Sequence, residues 1–337
     1  MSEIITVTNS MLSVDALKRI VASSYELADI LEIRFLQFGL NDTYLVKTVK
    51  LENYILRVYR HDWRSRSDIG YELDALIHLN QKGVSVSVPI PQKDGQLIKD
   101  LLAPEGTRLM VLFSYAPGQM IDYGEVQASA YGRAVAGCHN ALQDFSSQHQ
   151  RFELDLEHLL ETPLRIVQPV LEHRKTDLEY LNGLVEKIRQ RLEKLPLNQL
   201  ERGFCHGDFH GANAYIDGGQ KITLFDFDCC GVGWRAYELA VFSWDCRLNG
   251  REPSAGLAFL RGYEELRNVR ELDLKAIPLF IAIRQIWLMG LHFGNAHHFG
   301  YGWFGDEYLD HNIKFLKNWE LEFLSVAQAS GASATRR

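Results

Sequence analysis

The chain has 337 residues, 46% hydrophobic and 23% charged, which is material for a large buried core and more length than one ordinary domain needs. Its 43 acidic and 36 basic residues leave a net charge of −7, which argues against nucleic acid as a partner, because a phosphate backbone demands a basic face. Five cysteines without a C-x-x-C pair, and no basic-then-apolar leader after Glu3, fit a reducing cytoplasm.

The first helical spacing runs from Val14 to Leu27, with Ser13 placed to cap it. Three runs rich in branched and aromatic residues follow, Ile33 to Phe38, Thr43 to Thr48 and Tyr54 to Tyr59. Turn residues separate them, which predicts an antiparallel meander. A helix is expected from about Asp68 to Lys82, carrying Leu73, Leu76, Ile77 and Leu79 on one side and stopping at Gly83. Two more strands are expected around Gln96 to Leu101 and Arg108 to Ser114. Pro117 and Gly118 then break the pattern, so Ser114 to Gly118 reads as a hinge.

Beyond the hinge the chain reads as helical over Glu125 to Phe145, Leu154 to Leu160 and Asp177 to Leu195. One strand pair interrupts it, Asn213 to Ile216 and Lys221 to Phe227, joined by Asp217-Gly218-Gly219. Helices resume at Ala236 and continue to about Ala327. The longest apolar stretch, Ala276 to Gly290, is broken by Arg284 and Gln285, so no membrane span is expected. The fold class is therefore α+β: a β-rich lobe over residues 1–113, a hinge over 114–118 and a larger helical lobe over 119–329. The small, polar tail, residues 330–337, is expected to be disordered.

The informative stretch is Phe204-Cys-His-Gly-Asp-Phe-His-Gly-Ala-Asn213, followed after the hairpin by Asp226-Phe227-Asp228. Phosphoryl transfer from ATP needs such a set: a carboxylate beside the attacking hydroxyl, and oxygen ligands holding Mg²⁺ against the triphosphate. Asp208 suits the base. Asn213 offers a neutral amide oxygen and Asp226 a charged one, which suits the metal. The bland alternative is that each of these residues only caps a turn.

These residues resemble the aminoglycoside phosphotransferase and choline kinase family, including its homoserine-kinase-like members, whose catalytic loop reads H-G-D-x-H-x-x-N. His206, Gly207, Asp208, His210 and Asn213 meet every position, and the family's metal-binding Asp falls on Asp226. The resemblance spans roughly Ile33 to Leu239 and implies a protein-kinase-like bilobal fold with ATP and Mg²⁺ as cofactors. Asp228 stands where a protein kinase has glycine, which points to the small-molecule branch and adds a possible metal or water ligand. In the related fold the position of His206 braces the loop, and His210 reads either as loop-ordering or as acceptor-binding.

The resemblance also sets the nucleotide end. Kinases use a third-strand Lys that contacts phosphates and pairs with a Glu on the next helix. That position falls on Arg57, which stays cationic and can grip two oxygens, with Lys47 as the reserve and Glu72 as the partner. Backbone amides of Asn41 to Thr43, between the first two strands, either cover phosphates or form a plain hairpin turn. Leu112 to Tyr115, including Phe113, would supply the backbone that hydrogen-bonds adenine.

Three rival patterns are weaker. Gly231-Val-Gly233-Trp-Arg-Ala236 matches a loose dinucleotide-binding pattern, but it lies late in the chain with helices following it. Asp208-Phe-His210 resembles the opening of a metallophosphoesterase, whose further His and Asn groups lie on later strands, where this chain reads as helical. Cys205 beside His206 lacks any visible oxyanion arrangement. The acceptor is expected to be a small-molecule hydroxyl, an amine-bearing alcohol of the homoserine, choline or aminoglycoside kind, with a protein Ser/Thr kinase of the same fold as the alternative. Asp245 and the set Asp306, Glu307 and Asp310 are candidates to receive the amine. The segment His292 to Phe304, including Trp303, forms either an aromatic wall for a cation or lobe packing.

Overall fold

The computed structural model describes residues 5–251 and 253–323. The elements run α1 (Val14–Ser24), β1 (Ile30–Gln37), β2 (Asn41–Thr48), β3 (Asn53–Tyr59), α2 (Arg66–Gln81), β4 (Lys99–Ala103), β5 (Gly106–Ser114) and β6 (Gln119–Met120). Then come α3 (Glu125–Ala141), β7 (Glu153–Leu154), α4 (Thr162–Val170), α5 (Lys175–Glu193), β8 (Arg202–Cys205), β9 (Ala214–Ile216) and β10 (Ile222–Leu224). The last are β11 (Gly231–Trp234), α6 (Arg235–Leu248), α7 (Pro253–Glu264), α8 (Glu271–Gly294), α9 (Ala296–Phe299) and α10 (Asp306–Phe323).

Two compact units divide the chain. The first takes in the residues up to Met120 together with Ala141–Arg151 and Asn213–Asp228. Its antiparallel sheet has the order β1-β2-β3-β5-β4. Strict alternation along β2 buries Asp42, Tyr44, Val46 and Thr48. Tyr44 and Val46 join Leu56, Val58 and Leu112 under Leu17 and Val21 of α1, forming one core. Ser65 and Asp68 form a reciprocal capping box that starts α2, and the chain leaves it through Gly83 at φ 78°. Residues 85–90 form an extended stitch: Ser87 N donates to Leu224 O (3.0 Å), and Ile90 N to Leu112 O (2.7 Å). That stitch ties the β9–β10 hairpin, with Asn213 and Asp226 at its open end, to β5.

The second unit holds Ile121–Asn140, Phe152–Ala212 and the chain from Cys229 onward. At its centre α6 packs on α8, and twelve consecutive residues of α6, Arg235 to Cys246, are buried. By length and composition α8 would suffice to cross a membrane, and 72% of its apolar window is buried inside the fold. It is a core helix.

The elements depart from expectation where tertiary contacts overrule local pattern. Helix α3 ends at Ala141 instead of Phe145, whose ring packs edge-on against Tyr71 and His78 of α2. The helix expected over Leu154–Leu160 is replaced by β7 and a wide π-type turn, Glu157–Glu161, leading into α4. A three-stranded sheet, β7-β11-β8, adds strands that the sequence pattern did not mark, and of these only β7 touches an expected helix. The residues expected to extend the last helix to Ala327, and the tail over 330–337, lie outside the described residues.

Candidate active site

The loop that follows β8 is built in the second unit. His206 is fully buried; its Nδ1 accepts the Asp208 N–H (3.1 Å), and its ring stacks on Phe209 at 4.1 Å. Gly207 turns the chain at φ 81°, where a Cβ would lie 2.3 Å from the Cys229 carbonyl oxygen. Only glycine fits that turn.

Two carboxylates of α6 hold this loop. Glu238 accepts the backbone N–H groups of His206 and Gly207, and Asp245 accepts the Gly211 N–H at 3.0 Å. The two acids are seven residues apart and so share one face of the helix. Burial pushes the Glu238 carboxyl up to about 7, opposed by the two N–H donors. Asp245 also accepts from the Tyr123 hydroxyl and from Asn249 Nδ2 (2.7 Å). Asp245, a sequence candidate for the acceptor amine, thus already has its oxygens engaged in bracing the loop.

Asp208 itself meets a cation. Arg284 Nη2 donates to Oδ1, and His210 Nε2 lies 3.5 Å from Oδ2. Burial would raise the Asp208 carboxyl, but the Arg284 charge, helped by His210, outweighs it and holds it well below the usual carboxylate range. For His210 burial favours the neutral ring, yet the Asp208 charge raises its affinity for a proton.

The first unit carries a second cluster. Arg57 Nη1 donates to Glu72 Oε1 at 2.7 Å and Nη2 to Asp226 Oδ1 at 2.8 Å, while the Tyr59 hydroxyl donates to Glu72 Oε2 at 3.0 Å. Burial raises the Glu72 carboxyl, and Arg57 is the main force opposing it. The Arg57 guanidinium also lies 5.0 Å from the Phe113 ring centroid. Arg57, not Lys47, is the partner of Glu72. Lys47 sits opposite Asn53, four positions along β2 from Thr43, the cross-strand neighbour of Arg57, which is about 13 Å at strand rise.

Asp226 adopts φ 65°, a left-handed conformation rare for a residue with a Cβ, and its side chain is 46% exposed. The Phe225 N–H donates to the Asn213 carbonyl at 3.1 Å, closing the hairpin's mouth and bringing the two metal candidates to one end of it. Among the described residues no group of three or more His, Cys, Asp or Glu is arranged to hold a metal ion. One half-exposed carboxylate and one amide oxygen still fit Mg²⁺, which takes few protein ligands and completes its shell with phosphate oxygens and water.

Other expectations change here. Asp228 was expected to add a metal or water ligand. Its Oδ2 instead accepts from Trp63 Nε1 (3.0 Å) and its Oδ1 from Arg64 Nε (3.0 Å), and the residue is buried. Burial would raise this carboxyl, but Arg64, Arg151 and Arg57 hold it well below its ordinary range. Asn41 and Thr43 stand in β2 itself, opposite Tyr59 and Arg57, so the turn before them shrinks to residues 38–40. The Leu112 carbonyl accepts from the Ile90 N–H and the Ser114 N–H donates to the Val88 carbonyl, while Tyr115 is exposed.

In the second unit Asp306 and Asp310, two of that acidic set, pair with Arg174. The His292–Phe304 segment divides. The His292 ring nitrogen Nδ1 lies 2.7 Å from the Tyr308 hydroxyl, and the ring stacks on Phe304, whereas Trp303 is 78% exposed. The Gly231-x-Gly233 pattern is strand β11, and a Cβ on Gly231 would lie 2.6 Å from the Phe152 carbonyl oxygen. Its glycines make room for β7.

Sequence reasoning passed over Arg284, Glu238, Arg64 and Trp63. The signal for Arg284 was present: a cation inside an apolar run must be paired to be buried.

The sequence model described as "Phosphotransferase enzyme family" matches residues 33–272. A homoserine kinase of Agrobacterium fabrum is 27% identical over 71% of this chain and 72% of its own length. An aminopropanol kinase associated with a microcompartment superposes with a TM-score of 0.74 at 24% identity, covering 91% of this chain and 95% of that one. An amicoumacin kinase, solved in complex with AMP-PNP, Ca²⁺ and Ami, gives 0.73 at 22% identity over 92% and 93%. These neighbours share the protein-kinase-like α+β fold.

Proposed function

The chain belongs to the phosphotransferase enzyme family and is a kinase that transfers phosphate to a hydroxyl; on that premise we propose that it moves the γ-phosphate of ATP to a small amine-bearing alcohol, with Asp208 as base. The acceptor oxygen bonds to the γ-phosphorus, the bond from that phosphorus to the β,γ-bridging oxygen breaks, and ADP leaves with the electron pair. The hydroxyl proton passes to Asp208. Asn213 and Asp226 would hold Mg²⁺, which when bound neutralises charge on the transferring phosphates. Arg57, fixed by Glu72, would contact the α and β phosphates, and the backbone after Ser114 would meet adenine.

The observation that carries this reading is Arg57 bridging Glu72 and Asp226. A buried cation shared by a helix Glu and the triplet Asp is the arrangement a kinase needs to seat a triphosphate. An amine-bearing acceptor suits the net charge of −7 and the substrates named for the homoserine and aminopropanol kinases. A cytoplasmic setting suits five cysteines that are all buried.

The test is a panel of 1-amino-2-propanol, homoserine, choline, ethanolamine and spectinomycin with Mg-ATP, followed by ADP release and by ³¹P spectra of the products. A phosphate ester on one amino alcohol is the expected result. Phosphate appearing only on the protein would replace this reading with a protein Ser/Thr kinase.

A further inference from the structure

Arg284 is a cation with 2% side-chain exposure, in the middle of an apolar core helix, where burying a charge is costly unless its partners are well placed. Its partners are the catalytic loop. Nη2 meets Asp208 Oδ1, and Nη1 lies 3.3 Å from the Gly207 carbonyl and 3.4 Å from the Tyr237 hydroxyl. Its planar group lies 4.8 Å from the Trp244 ring and 4.3 Å from the Trp287 ring, so two indoles restrict how it can turn. Trp244 is itself fixed: its Nε1 donates to Gln285 Oε1 at 2.7 Å, and Gln285 Nε2 donates to Asn312. Hydrogen bonds thus join Asn312 of α10, Gln285 of α8 and Trp244 of α6, and the Trp244 ring lies against the guanidinium that holds one carboxylate oxygen.

We infer that Arg284 is a positioning residue for the phosphoryl-transfer base: it fixes Oδ1 of Asp208 so that Oδ2, on the His210 side, is presented to the acceptor hydroxyl. The inference rests on Asp208 being the base. A carboxylate on a short side chain rotates freely about its last torsion unless something grips it. Fixing one oxygen gives the other a single direction, which is the kind of orientation that speeds a proton transfer without changing nucleotide binding. A lysine would keep the charge but lose the fork that also reaches Gly207 and Tyr237.

The test needs no identified acceptor, because water can stand in for the hydroxyl: Mg-ATP alone is supplied and ADP release is followed. In that slow reaction the water oxygen bonds to the γ-phosphorus, ADP leaves, and the water proton goes to Asp208. Arg284→Met should lower kcat by about 30-fold or more while the KM for Mg-ATP stays within about threefold. Arg284→Lys should recover part of the loss, and Arg284→Met placed on Asp208→Asn should add no further loss. Unchanged kcat in Arg284→Met, or losses that multiply in the double variant, would overturn the inference. Should Arg284→Met fail to fold, Arg284→Lys decides alone: a kcat equal to wild type, or a change confined to KM, counts against it. The two readings fail separately. Asp208→Asn at near wild-type rate removes the base assignment, whereas a slow Asp208→Asn beside a fast Arg284→Lys removes only the role of Arg284.

Discussion

Asp208 and Asp226 are 18 positions apart in the sequence, and both meet an arginine, yet their surroundings differ in kind. Asp208 belongs to a loop braced from below by Glu238 and Asp245, and its side chain is 19% exposed beside an almost fully buried Arg284. Asp226 sits in a left-handed backbone conformation with its carboxylate 46% exposed, sharing Arg57 with Glu72. One carboxylate is fixed in direction, as a group that takes a proton from one hydroxyl must be. The other is half-exposed and pairs with Arg57, a setting that suits the proposed ligand of a solvated cation. Asp228, two residues further on, shows the third possibility: both oxygens spent on Trp63 and Arg64, a structural acid in a catalytic motif.

The contrast breaks first at Asp208. Asp208→Asn should cut kcat by about 10²- to 10⁴-fold in the acceptor assay while leaving Mg-ATP affinity near wild type. Next comes Asp226→Asn, expected to weaken magnesium-dependent nucleotide binding by at least the roughly 10- to 100-fold typical of a disturbed metal site, read by calorimetry with and without EDTA. Asp228→Ala should act on stability, costing about 3 kcal/mol because Trp63 and the half-buried Arg64 lose the buried carboxylate that accepts from them. The folded-state affinity of Asp228 for a proton is depressed, so its stabilisation is present above the ordinary carboxylate range and lost as pH falls through it. The deficit of the variant, followed by urea unfolding, should therefore shrink in acid.

The smallest effect concerns Glu238, whose carboxyl is raised from 4.5 to about 7 in the folded chain. Between those values the folded state keeps a proton that the unfolded state releases, so this group makes stability fall as pH rises from 4.5 toward 7. Glu238→Gln should remove that slope, at most about 1.4 kcal/mol per pH unit. An unchanged slope in urea unfolding from pH 4.5 to 7.5 would show that Glu238 is ionised throughout.

Much of this contrast was legible before the fold was known. The order His206-x-Asp208, Asn213, Asp226 carries the family resemblance and the proposed roles, and the third strand with its following helix points to Arg57 and Glu72, which the structure pairs. The sequence shows which oxygens exist, but not which donors already serve them, and this is why Asp228 and Asp245 looked available. Arg284 lies 76 residues from the carboxylate it grips, and only tertiary packing brings the two together. The β7-β11-β8 sheet was hidden for a different reason. Its strands are two to four residues long, too short for alternation to register, and the glycines that let β7 cross β11 look like a loop.

The most direct measurement is Mg-ATP affinity by isothermal calorimetry on Asp208→Asn and Asp226→Asn side by side. The account predicts that the first binds like wild type and keeps its dependence on magnesium, while the second loses that dependence. Equal behaviour of the two variants, in either direction, would contradict the division of labour between the proposed base and the proposed metal ligand.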